Sequence, residues 1–257
     1  MFDWFQNRRR AQILETPFPN TWETYLSANI GHFPLLNDIE KTKLRKAVQI
    51  MVAEKDWEAH GGLQMNEEIK VTIAGLASLL LLGVDDFYFE NVKTVIVFPK
   101  PIRRETNSGW VIDRDTYHSG EAWQGGPVIL SWQDTLKDAR TIGNGHNLVI
   151  HEFAHCLDGL DGDMAGSLQF GDRQTTLEWD RVCGEEFATL TRDVREGRET
   201  LINDYGATNK AEFFAVCSET FFEKPIQMRE QHSELFELLV KYYQVDPRKW
   251  ISTQNHD

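Results

Sequence analysis

Leu148-Val149-Ile150-His151-Glu152-Phe153-Ala154-His155-Cys156-Leu157 sets two histidines four residues apart inside an apolar run. Positions i and i+4 share one face of a helix, so both imidazoles can meet one metal ion. Zinc accepts neutral imidazole at ~2.0–2.1 Å. Glu152 lies between the two histidines, beside the position such a metal leaves open. There a carboxylate can take a proton from an attacking water and later deliver it to a leaving amine. The opposite stripe, His146, Ile150, Phe153 and Leu157, is spaced for core packing. The competing explanation is a chance pentapeptide on an amphipathic helix; the helical context and apolar flanks favour metal binding.

A catalytic metal site needs a third protein ligand. Asp161, six residues past His155, is one candidate. Glu212 is another, because Lys210 to Phe222 is nearly all apolar apart from Glu212, Ser218, Glu219 and Thr220. A carboxylate on a buried helix needs a partner, since an unpaired buried charge is expensive. Asn209-x-x-Glu212 also fits a helix capping box, with Glu212 reaching back to the cap. Glu219, two turns further on, is a third candidate on the same face.

Outward from this stretch the pattern is mostly helical. Helices are expected over Asp38 to Ala59, Ile69 to Leu82, Thr176 to Val194, Lys210 to Phe222 and Pro225 to Tyr243, with residues 1–20 irregular. Thr94 to Phe98 is a β-branched run stopped by Pro99 and reads as a strand. Trp110 to Ile112 and Val128 to Trp132 read similarly. Helices around a small central sheet give an α+β class. The 257 residues are expected to form a single domain, with a helical N-terminal part over 1–90 and a catalytic core over 91–257. The strand after Gly125-Gly126-Pro127 could bind extended peptide along an exposed edge, or be an interior strand. His118 is a polar loop residue that could line the cleft. His32, His60, His146, His232 and His256 have no partner at metal spacing.

Composition narrows the class. The chain has 27 basic and 40 acidic residues, a net charge of −13, and 41% hydrophobic residues. An acidic surface argues against direct nucleic-acid binding, which needs basic phosphate contacts. The charged, Gly and Pro contents are those of a folded globular chain. Three cysteines with no CxxC pair exclude a disulfide framework and fit a reducing compartment. The longest apolar run, Val71 to Val84, spans fourteen residues, short of the ~20 of a membrane span. The Met1 to Arg10 segment lacks the apolar stretch of a signal peptide, so a cytoplasmic location is expected. Residues 151–200 carry twelve acidic and five basic side chains, a local charge of −7. An acidic rim of that kind could attract the ammonium terminus of a substrate, or be a solvated helix face.

HEFAHCLDGLDG from His151, followed by DYGATNKAEFFAVCSETFF from Asp204, resembles the Mlc titration factor A family of bacterial zinc peptidases. The earlier Gly126 to Trp132 segment agrees, and the resemblance covers nearly the whole chain. It implies zinc held by His151, His155 and Glu212, with Glu152 as the catalytic base. It also implies a gluzincin-like fold related to the catalytic domain of anthrax lethal factor, and aminopeptidase-type activity on peptides. The family's founding member binds the glucose repressor Mlc, so an Mlc-like repressor is an implied protein partner. Tyr205, seven residues before Glu212, could then stabilise the oxyanion of a tetrahedral intermediate, or be a packed loop tyrosine. Asp158, one turn past His155, could orient a histidine or simply close the helix. A regulatory binding protein is the second hypothesis. A structural zinc site is the third, disfavoured because Cys156 points off the ligand face.

Overall fold

The computed structural model describes residues 2–101, 126–161, 166, 168 and 170–252, without the side chains of residues 2, 3, 5, 161 and 252. The mostly helical chain surrounds a three-stranded sheet, so the α+β class holds. Helices α1 (Phe2–Glu15), α2 (Asn20–Asn29) and α3 (Asp38–Glu54) precede strand β1 (Asp56–Ala59). Helix α4 (Glu67–Leu79) crosses over to β2 (Thr94–Phe98), and β3 (Val128–Ser131) leads into α5 (Trp132–Arg140). There follow α6 (Leu148–Asp158), α7 (Arg173–Arg195), α8 (Lys210–Glu223), α9 (Pro225–Gln231), α10 (Ser233–Tyr243) and α11 (Arg248–Ser252).

All three strands run parallel in the order β1-β2-β3, with Trp57 opposite Val95 and Val95 opposite Val128. Parallel neighbours need a long crossover, and α4 supplies it between β1 and β2. Val95, Val97, Val128 and Leu130 are fully buried and face the core. Asparagine caps start the helices that matter most. Asn37 forms a complete capping box with Glu40 on α3, and Asn66, Asn147 and Asn209 cap α4, α6 and α8 with their side chains. Helix α6 is central: it packs against α4, α5, β3 and α8. One buried hydrophobic cluster runs from Leu26 to Trp250. Among the described residues no helix is long and apolar enough to cross a membrane.

Several expectations are corrected. Residues 2–15 are helical rather than irregular. That helix has no apolar stripe to betray it; it is tied down by Arg10, which pairs with Glu54 at 2.9 Å and Glu90 at 2.7 Å and stacks over Tyr88. The helix expected to reach Ala59 stops at Glu54, and residues 56–59 pair as an edge strand. Half-exposed Asp-Trp-Glu-Ala carries no β-branched signature, and its strand state comes from pairing with β2. Trp132 begins α5, with Ser131 as its cap. The expected helix over 225–243 is broken at His232, whose backbone leaves the helical region at φ −131° and ψ 54°. The expected strand at Trp110 to Ile112, with His118, Gly125 and His256, lies outside the described residues.

Candidate metal centre

The site is built where α6 crosses α8. Asn147 caps α6 by accepting the Ile150 N–H at 3.2 Å. The helix then presents His151 and His155 on one face, their ring centroids 4.9 Å apart and their planes at 81°. Phe153 and Ala154 pack into the core, as do Ile150 and Leu157. His146, assigned to that stripe by spacing, instead precedes the helix and is half-buried.

Glu212 comes from the first turn of α8. Asn209 accepts its backbone N–H at 3.0 Å, which is half of the expected capping box. The Glu212 side chain turns to the histidines: its Oε2 is 3.1 Å from His151 Nε2 and 3.3 Å from His155 Nε2. The two Nε2 atoms are 3.3 Å apart. A tetrahedral metal ~2.0–2.1 Å from each ligand keeps its ligand atoms about 3.3–3.4 Å apart, so this triangle has the dimensions of a metal site. Among the described residues these three form the group of His, Cys, Asp and Glu side chains able to hold a metal ion.

Glu219, raised above as an alternative ligand, has a different place. Its Oε1 is 2.7 Å from His151 Nδ1. A carboxylate at that position accepts, so Nδ1 carries a proton and Nε2, facing Glu212 and His155, is the nitrogen left to serve as ligand when a metal binds. The other oxygen, Oε2, accepts the Asn147 N–H at 2.6 Å. His155, Glu212 and Glu219 are buried; His151 and Glu152 are half-buried.

Electrostatics match the geometry. Burial alone would push the Glu212 carboxyl up, but hydrogen bonds from His151 and His155 hold it down to about 2. Burial opposes charge on His151, yet hydrogen bonds to Glu212 and Glu219 lift it to about 10. The cluster therefore stabilises positive charge at its centre, which a divalent cation supplies. Burial raises the Glu152 carboxyl above the ordinary range, with His151 and His155 pulling it back.

Tyr205 lies in a 3₁₀ turn, Asp204–Ala207, whose start is fixed by Asn203 Oδ1 accepting the Tyr205 N–H at 2.9 Å. Its ring centroid is 6.0 Å from that of His151. Of the residues named from the sequence, the structure brings His151, His155 and Glu212 together and sets the Tyr205 ring beside His151, while the contributions of Glu219 to His151 and of Asn147 were not read. Two signals pointed to them: the two-turn spacing of Glu219 from Glu212, and an asparagine just ahead of an apolar helical run. Asp158 is buried at the end of α6, with its Oδ2 accepting the Gly166 N–H at 3.1 Å. Asp161 closes the 3₁₀ turn Gly159–Asp161, and its side chain is outside the described part. Cys156 donates its thiol to the Glu152 carbonyl at 3.3 Å.

The family described as glucose-regulated metallo-peptidase M90 matches residues 4–244. The chain belongs to this metallopeptidase family. It is 32% identical to an uncharacterized protein of Synechocystis sp. over 250 residues, covering 95% of this chain and 90% of that protein. It is 29% identical to the Mlc titration factor A of Klebsiella pneumoniae over 239 residues, covering 90% of this chain and 88% of the relative. The Mlc titration factor A of Escherichia coli O1:K1 is 28% identical over 240 residues, covering 91% and 89%. As a member of a metallopeptidase family the chain works with a metal cofactor, and the His151, His155 and Glu212 triangle fits one.

Proposed function

We propose that this chain is a zinc-dependent peptidase of the aminopeptidase type. The observation that carries the reading is the triangle of His151, His155 and Glu212 donor atoms at 3.1–3.3 Å. These three residues hold the zinc ion, which when bound supplies Lewis acidity toward the substrate carbonyl and lowers the pKa of water. Glu152, between the two histidines in the chain and half-buried, takes a proton from the attacking water and passes it to the departing amine. Tyr205 donates its hydroxyl to the oxyanion that forms. Glu219 keeps the His151 ring in its orientation and tautomer. The acidic stretch over residues 151–200 favours substrates with a free ammonium terminus, which supports the aminopeptidase type.

A motif helix that receives its carboxylate ligand from a later helix supports a gluzincin-like core related to anthrax lethal factor. The continuous core supports one domain, with residues 1–90 packed on the catalytic part. The reducing cysteine pattern supports a cytoplasmic location. The relatives named Mlc titration factor A support an Mlc-like repressor as a second, protein partner.

The test is hydrolysis of a panel of aminoacyl chromogenic substrates by zinc-loaded wild type and Glu152→Gln. The variant should keep zinc and lose about 10²–10⁴ in turnover. Equal turnover by both proteins would sink the mechanism. Recovery of a repressor from the native cell extract by both proteins would show binding that does not depend on catalysis.

A further inference from the structure

The face of α8 that presents Glu212 continues with Glu219 and Glu223, at spacings of seven and four residues. All three are buried. Glu212 and Glu219 reach the metal-site histidines, whereas Glu223 touches none of them. Its Oε1 accepts the Asn147 side-chain N–H at 3.2 Å, and its Oε2 accepts the Gly143 backbone N–H at 2.8 Å. Asn147 is fully buried, and each of its polar groups has a partner, the carbonyl accepting the His151 N–H at 2.9 Å. Oδ1 caps Ile150, Nδ2 meets Glu223, and the backbone N–H meets Glu219. Since Oδ1 is committed to a backbone donor, the direction of the amide is fixed. Glu219 then carries the constraint to His151 Nδ1 at 2.7 Å.

We propose that Asn147 and Glu223 are positioning residues for the metal site, acting on His151 through Glu219. The proposal rests on His151, His155 and Glu212 being the ligands. Two α8 carboxylates grip one asparagine at the start of α6, so the first turn of the histidine helix is fixed relative to the helix carrying the third ligand. At the N-terminal end of α6 free N–H groups are available to these carboxyl oxygens, Glu219 taking that of Asn147. Asp138 adds to the same end by accepting the Leu148 N–H at 3.2 Å. An apolar pair of similar volume would hold two helices together at least as well as a buried charge. What the polar chain adds is direction: it fixes which way Asn147 and the His151 ring point. Gly143 serves the same clamp, since its φ of +83° delivers an N–H to Glu223 from a conformation that side chains disfavour.

The experiment is a zinc dissociation constant by chelator competition on the full chain, for wild type, Asn147→Asp, Glu223→Gln and the double variant. Cobalt absorption spectra report ligand geometry, and melting of the metal-free proteins reports stability. Asn147→Asp keeps a capping oxygen but turns a carboxylate toward Glu223. Glu223→Gln keeps an oxygen for Gly143 but turns an amide toward the Asn147 amide. Each single change should weaken zinc binding about tenfold, the scale of an outer-shell partner. The double variant reverses donor and acceptor, and should recover most of the affinity and the wild-type cobalt spectrum. If a single variant does not fold, Asn147→Ser, which caps through its hydroxyl and drops the Glu223 link, takes its place with the same expectation. Unchanged zinc affinity in the singles alongside lower melting temperatures would overturn the proposal and leave a purely structural clamp. Absence of zinc binding by folded wild type would instead overturn the ligand assignment itself.

Discussion

Helices α4 and α8 flank the histidine helix α6, and both are almost wholly buried, yet they bury different chemistry. From Ile69 to Leu79, α4 hides apolar side chains with two hydroxyls, Thr72 and Ser78. Ser78 is satisfied within its own helix, donating to the Ala74 carbonyl at 2.6 Å, and Thr72 accepts from Asn29 of α2 at 3.0 Å. Helix α8 buries every residue from Glu212 to Glu223, three of them with carboxyl groups, and all three point across to α6 or the segment before it, although burial pushes the Glu223 carboxyl up to about 8. Burying an unpaired carboxylate is expensive, so three carboxyl groups on one helix mark the side where polar partners are supplied. One wall of α6 supplies packing and the other supplies electrostatics.

Removing a metal-facing carboxylate should break the comparison most strongly. Glu212→Ala should reduce turnover to background and weaken zinc binding by more than the ~100-fold of an outer-shell loss, as read by chelator competition. Retained affinity would move the third ligand elsewhere. On the other wall, Leu76→Ala opens a cavity in a fully buried part of α4 and should lower unfolding free energy by about 2–5 kcal/mol in denaturant titration. Zinc affinity of the folded protein should not change; a parallel loss would mean that the two walls are coupled.

Acid should find α8's side before α4's, because α4 buries no titratable side chain. His32 is buried beside the end of α8, its Nε2 3.3 Å from the Phe222 carbonyl and 3.8 Å from Glu223. Burial lowers its pKa from 6.5 to about 4. The unfolded chain therefore binds more protons than the folded one between those values. The contribution is intact above pH 6.5 and is lost as pH falls toward 4, up to about 3 kcal/mol. Stability measured from pH 7 to 4 should fall less steeply in His32→Gln than in wild type; identical slopes would remove His32 from the acid response. The smallest effect is expected from Glu219→Gln, which still accepts from one donor but no longer anchors both Asn147 and His151. Zinc affinity should drop about 10–100-fold without loss of fold. An unaltered dissociation constant would place Glu219 outside the site's working parts.

Much of the candidate site was legible because it depends on local periodicity. His151 and His155 share a helix face whatever surrounds them, and Asn147 ahead of an apolar run announces the start of that helix. Glu212 stood out as a charge on an apolar helix, although Asp161 and Glu219 competed with it on spacing alone. The fold was legible where patterns were strong, as in β2 and α4. It was not at α1, which is held by Arg10 ion pairs rather than an apolar stripe. Nor was it at β1, whose strand state comes from its partner.

The sequence by itself determined a helix with two imidazoles on one side, an apolar helix with Glu212 and Glu219 on one face, and an acidic chain built around them. These follow from rotation per residue and from the expense of burying charge, both local properties. Only the tertiary structure decided which carboxylate faces Nε2, which faces Nδ1 and which holds Asn147. Glu212, Glu219 and Glu223 share one face, so their assignments depend on where α8 crosses α6 along its length. That crossing is set by packing among residues far apart in the chain, and no spacing within either helix contains it.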